Sequence, residues 1–201
     1  MPSAWTMEEL GRILDEARKQ KTPKTGMLYP PGLFFTALIL TAYDTGLRLG
    51  SLLGIERAGW KPERLEISVE AEATKAGVAQ SFRVSEQTRD AITTMLAAAK
   101  SGETPTRLYP WPVRHDGIFE AYRGILKRAG LYVKGKNNLF HKLRRTAASH
   151  LTAAIGIEGA CRQLGHSSVE MTRRYVDPRM TSGHSAAEHL PRPIHEGPPS
   201  M

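Results

Sequence analysis

Four short segments of the 201-residue sequence carry side chains suited to chemistry on a phosphate. Thr45-Gly46-Leu47-Arg48 presents an arginine just beyond a glycine, and Lys75 lies in Thr74-Lys75-Ala76-Gly77 between two strand-like runs. His141-Lys142-Leu143-Arg144-Arg145-Thr146 sets His141 and Arg144 three residues apart, on one face of a helix. Leu164-Gly165-His166 is followed, nine residues after the histidine, by Tyr175. A guanidinium is a fixed fork of permanent charge that matches phosphate oxygens, a lysine ammonium on its flexible stem can deliver a proton, and an imidazole changes charge near neutral pH. The aspartates Asp15, Asp44, Asp90, Asp116 and Asp177 are scattered, so no two-metal cluster is expected. Plainer readings stand beside these. Tyr175 would serve as a packing residue, Arg48 would answer a helix C-terminal dipole, and Lys75 would be a solvated turn residue with Lys134 or Lys136 reaching the site instead. His141, His150 and Cys161 match no usual zinc spacing.

The elements that must position these residues are legible in outline. Thr6-Met7-Glu8-Glu9 has the form of a capping box ahead of Leu10, Ile13, Leu14 and Ala17, which predicts an amphipathic helix to about Lys19. Gln20 to Gly32, with three prolines and two glycines, reads as a connection, and Leu33 to Thr45 as a largely buried helix stopped at Gly46. A short helix is expected through Ser51 to Glu56. Leu65, Ile67 and Val69 alternate with polar residues as in a half-buried strand, Gln80 to Val84 is a second strand candidate, and the turn between them carries Lys75. Ser85 is the expected N-cap of a helix ending near Lys100, and Asp116 that of a helix over Gly117 to Arg128. A further helix is expected over about His141 to Ala154. Ser167-Ser168-Val169-Glu170 reads as a second capping box that places Met171 to Tyr175 on a short helix ended by Asp177-Pro178. The fold class expected is mainly α with a small antiparallel β-sheet, an α+β domain over residues 1–180. Residues 181–201, with four prolines and three histidines after Thr181, read as a flexible tail.

The 28 Lys+Arg against 20 Asp+Glu give +8 and a sequence pI near 9.8, which points to a nucleic-acid partner. Between Arg107 and Arg145 stand ten basic residues against Asp116 and Glu120, while the remainder holds 18 of each sign, so that one segment carries the whole excess. A solvated basic surface is the bland alternative. The single cysteine, Cys161, excludes an internal disulfide, and no stretch has the form of a secretory leader, which fits a cytoplasmic location. The longest apolar run, Leu33 to Ala42, is about half of the ~20 residues a membrane span needs.

Together the arginine after Thr-Gly-Leu, the hairpin lysine, His-x-x-Arg, Leu-Gly-His and the downstream tyrosine resemble the signature of the tyrosine recombinase (phage integrase) family, in order, over residues 6 to 178. Each piece alone is weak; the ordered set is specific. The resemblance implies the catalytic-domain fold of that family and site-specific DNA strand transfer through a 3′-phosphotyrosyl bond, with no cofactor and no metal. It implies Tyr175 as nucleophile, Arg48 and Arg144 as the pair stabilising the phosphoryl oxygens, and Lys75 as donor of the leaving-group proton. His141 would accept or relay the tyrosine proton, and His166 would donate a hydrogen bond to the phosphate. Lys134, Lys136, Lys142 and Arg145 are the expected further contacts to double-stranded DNA, with a homotetramer on DNA and a monomer without it.

Two departures stand out. Ser51 occupies a position, three after the first arginine, where many members of that family carry an acid. The expected N-terminal core-binding domain has no counterpart, so the sequence reads as a fragment of a longer protein more readily than as a naturally minimal one. A non-catalytic DNA-binding accessory or regulatory protein, and a type IB topoisomerase-like relaxing activity, are the alternative functions.

Overall fold

A helix that is apolar all round must be enclosed by other elements. In this computed structural model, which describes residues 3–71, 77–100, 104–112, 115–135 and 139–181 (of 115 and 116 the backbone alone), that helix is α2 (Pro31–Thr45), with eleven of its 15 residues buried. It starts two residues before the sequence boundary because Pro31 supplies the first-turn φ without needing a partner for an N–H. Against it pack α1 (Met7–Arg18), α4 (Glu86–Ala97) and α6 (Phe140–Gln163). α3 (Leu49–Gly54) and α5 (His115–Arg128) complete the helical layer, and α7 (Val169–Arg173) and α8 (Pro178–Thr181) close on α6. Phe34, Phe35, Tyr109 and Trp111 form an edge-to-face cluster at the start of α2, and Tyr122 stacks on Phe140 at 4.2 Å between centroids.

The sheet runs β1 (Trp60–Lys61), β2 (Glu66–Val69), β3 (Gln80–Arg83), all antiparallel. Trp60, Ile67 and Phe82 lie in one cross-strand row and are all buried, while Ser68 and Ser81 face each other on the other side. β2 and β3 fall where alternation places them. β1 is not foreseen, since two residues are too few to show a period. Lys75 lies outside the described residues, as do Lys136 and residues 182–201 of the expected tail.

The capping box at Thr6 and Glu9 is present with both hydrogen bonds. Ser85 caps α4 and is itself held, through N and Oγ at 2.7 and 2.8 Å, by the Asp44 carboxylate, which also accepts from Thr88 Oγ1 at 2.6 Å. Asp44 thereby ties the end of α2 to the junction of β3 and α4. Four expectations are corrected. α5 begins at His115, so Asp116 lies within its first turn instead of capping it. α3 begins at Leu49, two residues early, because Arg48 is its extended N-cap. α6 does not end at Ala154: it breaks direction at Gly156 (φ 76°, ψ 165°) and resumes to Gln163, burying Ala160 and Cys161. The second capping box is a single cap by Ser168 on Met171 N, and its helix spans Val169–Arg173, so Tyr175 sits in the turn after it.

Gly46 ends α2 in the left-handed region (φ 63°), with its N–H bonded to Ala42 O at 2.9 Å, and a Cβ there would run into Leu164 Cδ2. Gly46→Ala is expected to lower the unfolding free energy by about 1–3 kcal/mol, from left-handed strain plus the clash. Gly50→Ala, in the exposed face of α3 with open space around its Cβ, is expected to be neutral or to stabilise by up to about 1 kcal/mol. Urea midpoints of the two variants check the contrast.

Candidate active site

The Thr45-Gly46-Leu47-Arg48 turn is built by its own hydroxyl. Thr45, fully buried, donates to Thr41 O at 2.7 Å and accepts from Leu47 N at 3.2 Å, so the chain reverses immediately after α2. That reversal turns Gly46 O inward and delivers Arg48 to the N-terminus of α3. Across from it, α6 brings up Arg144, 3% exposed. Its Nη1 donates to Gly46 O and its Nη2 to Leu164 O at 3.1 Å and to His166 Nε2. Its Nε is buried with no hydrogen-bond partner among the described residues.

Tyr175 closes the group. Arg144 Cζ lies 5.3 Å from the centroid of its ring, the His166 ring 5.1 Å and the His141 ring 5.2 Å. Arg48, His141, Arg144, His166 and Tyr175 are thus brought together from α3, α6, the turn after α6 and the turn after α7. Among the described residues no carboxylate lies within ion-pair distance of Arg48 or Arg144. Ser51, where an acid was noted as missing, is buried in α3. The site is a concentration of positive charge short of counter-charge.

The electrostatics follow. Burial, the Arg48 guanidinium beside it and a partly offsetting Tyr175 set Arg144 down to about 10, still charged at neutral pH. Burial, with Arg144 and Arg48 adding to it, pulls His166 down to about 4. Burial, with Arg145, Arg144 and Arg48, lowers His141 as well. Both imidazoles are therefore neutral at pH 7, which suits His141 to accept a proton. His166 Nε2, in turn, is already the acceptor of an Arg144 N–H, so in this arrangement its contact is with Arg144 rather than outward as a donor.

The expected DNA contacts divide. Lys134 is exposed. Lys142 is half-buried with Nζ 5.0 Å from the Trp5 ring centroid, and burial lowers its pKa. Arg145 is half-buried where Asp177 and Tyr175 act on it. The basic block from Arg107 to Arg145 is not all surface charge for a ligand: Arg107 donates to Leu53 O at 3.0 Å, and Arg128 holds Glu16 at 3.2 Å and Gln20 at 2.6 Å. Among the described residues no His, Cys, Asp and Glu cluster of metal-holding form occurs, and no helix is long and apolar enough to cross a membrane.

Several residues that set the site escape motif reading. Thr172, fully buried, meets His166 Nδ1 at 2.9 Å. Asp177, 1% exposed, accepts from Ala4 N at 2.9 Å and makes a two-pronged pair with Arg179 at 3.0 and 2.7 Å. Its own N–H donates to Ser149 Oγ at 2.8 Å. Thr146 Oγ1 accepts from Trp5 N at 3.0 Å. Sequence offered only a weak signal for these, a hydroxyl or carboxylate beside residues of the motifs.

A mainly helical domain with a three-stranded antiparallel sheet, gathering two arginines, two histidines and a tyrosine, defines the class of tyrosine recombinase catalytic domains. The chain belongs to the phage integrase family, whose model matches residues 5–182. Among solved structures it is similar to XerA recombinase (TM-score 0.72, 23% identity, 96% of this chain and 66% of that one). It is also similar to the catalytic domain of bacteriophage HP1 integrase (0.65, 21%, 92% and 91%) and to a lambda integrase dimer bound to a COC' core site (0.64, 22%, 92% and 50%). The chain thus spans about two thirds of XerA and half of the lambda integrase chain. No curated protein matches it.

A histidine whose folded pKa lies below its unfolded value stabilises the fold fully above the unfolded value, and that contribution is lost as pH falls through the window between the two. For His166 the window runs from about 6.5 down to about 4, and His141 adds in the same direction. Stability is expected to fall by up to about 1.4 kcal/mol per pH unit per proton across this window. His166→Gln should show a visibly shallower decline in urea midpoints between pH 7 and 5. Equal slopes would contradict the assignment.

Proposed function

We propose that this chain is the catalytic part of a site-specific DNA recombinase that cleaves and rejoins duplex DNA through a 3′-phosphotyrosyl intermediate. The observation that carries it is the convergence of Tyr175 on the buried Arg144 guanidinium and the His141 and His166 rings. Family membership and the DNA-bound lambda integrase among its structural neighbours support DNA as the partner.

In this reading the Tyr175 oxygen attacks the scissile phosphorus as His141 accepts the phenolic proton. The bond from phosphorus to the 5′-oxygen breaks, and that oxygen leaves protonated, with Lys75 as the donor. A 5′-hydroxyl of another strand then attacks the phosphotyrosine and releases Tyr175. Arg48 and Arg144 hold the non-bridging oxygens as negative charge grows, where a buried site makes each guanidinium most effective. His166 acts through Arg144, fixing its plane. Phosphodiester energy is conserved in the covalent link, so no nucleotide cofactor enters the scheme. Lys134, Lys136, Lys142 and Arg145 extend the contact along the duplex, a homotetramer assembles on two duplexes from monomers, and the protein works in the cytoplasm.

Incubation with a nicked duplex that traps the cleaved strand should give a denaturation-resistant adduct, absent in Tyr175→Phe. Arg144→Ala should lose cleavage by about 100-fold or more, well beyond any loss in duplex affinity. Duplex affinity should also fall steeply between low and moderate salt, as released counterions require. An Arg144→Ala defect confined to affinity would favour a DNA-binding accessory role, and relaxation of supercoils by monomers a topoisomerase-like one.

A further inference from the structure

Thr172 carries no catalytic chemistry, yet it is fully buried and its Oγ1 lies 2.9 Å from His166 Nδ1. The donor and acceptor roles in this chain of contacts follow from elementary chemistry. A guanidinium has only N–H donors, so where Arg144 Nη2 meets His166 Nε2 the imidazole nitrogen must present its lone pair. A neutral imidazole with a bare Nε2 carries its proton on Nδ1, and that N–H points at Thr172 Oγ1, which accepts it. The other tautomer would set two donors against each other at Nε2, and an imidazolium would do the same while adding a charge beside a guanidinium. Burial and the two arginines independently keep the ring neutral.

Thr172 is also one turn from the nucleophile. The Tyr175 N–H donates to Thr172 O at 2.8 Å, so the residue that holds the histidine and the residue proposed to attack belong to one hydrogen-bonded turn. The segment beyond is anchored separately by Asp177 on Ala4 and Ser149.

We propose that Thr172 is a positioning residue: by accepting the Nδ1–H of His166 it holds the ring where the bare Nε2 meets and orients Arg144, and it does so only when the turn bearing Tyr175 is docked. The reaction-side meaning rests on the phosphotyrosyl reading above; the tautomer does not. Undocking of the turn removes the Nδ1 acceptor, frees the ring to rotate or change tautomer, and takes from Arg144 the acceptor that sets its plane. Nucleophile placement and phosphate-site geometry are thereby linked through one hydroxyl.

The test uses ¹⁵N-labelled protein without DNA at pH 7, reading the ring nitrogens of His166, alongside single-turnover adduct formation on the nicked duplex. Wild type should show a protonated Nδ1 and an unprotonated Nε2. Thr172→Val should release the His166 ring from Arg144, let it pass towards the Nε2–H form, and slow adduct formation tenfold or more with duplex affinity unchanged. Thr172→Ser, which restores the acceptor, should recover both, separating the hydroxyl's role from packing. Retention of the Nδ1–H tautomer in Thr172→Val, or a full rate despite its loss, would overturn the proposal. Because the tautomer is read on the protein alone, absence of any adduct in wild type would count against strand transfer and not against this assignment.

Discussion

The arrangement depends on one buried cation. Arg144 is 3% exposed and meets no carboxylate among the described residues; its partners are two main-chain carbonyls and an imidazole. Those carbonyls, Gly46 O and Leu164 O, each stand at the C-cap of a helix, α2 and α6. A helix C-terminus carries partial negative charge, so two helix ends aimed at one guanidinium stabilise it without neutralising it. A buried carboxylate would hold Arg144 more tightly but would also quench the field that the proposed phosphate would meet. This constraint explains why α2 must end at Gly46 with a left-handed residue, and why α6 must bend at Gly156 and end at Leu164: both ends have to reach the same point.

Tyr175, the proposed nucleophile, is held by a different kind of contact. Tyr175 is half-buried in a turn between two short helices, neither long enough to be stable by itself. Hydrogen bonds to other elements fix it instead: Thr172 to His166 on one side, and Asp177 to Ala4 and Ser149 on the other. Asp177 is almost fully buried, and its hydrogen bonds from Arg179 and Ala4 hold its carboxyl far below the ordinary range. The N-terminal residues thus tie the segment that carries the tyrosine to α6, Ala4 bonding to Asp177 and Trp5 to Thr146.

Much of this was legible in the sequence, for reasons that differ by element. The caps at Thr6 and Ser85 and the glycine stop at Gly46 are local events, decided by bonds and backbone conformation within a few residues, and those three helix ends agree. The motif residues Arg48, His141, Arg144, His166 and Tyr175 were identified as a set and are found together. What escaped depends on contacts distant in sequence. β1 exists only through its pairing with β2, the second half of α6 is held by packing after a break, and the role of Asp177 arises from a partner 173 residues away; Thr172 meets His166 six residues before it through a turn that no motif describes. The charge count misled in part, because Arg107 and Arg128 serve the fold.

The measurement that bears most directly on the central claim is the site of DNA attachment. Trypsin cleavage after Arg174 and Arg179 isolates Tyr175-Val176-Asp177-Pro178-Arg179, and digestion of the trapped adduct with trypsin and nuclease should leave the residual nucleotide on that peptide alone. Attachment at any other tyrosine, or a cleaved strand with no nucleotide on this peptide, would contradict the account.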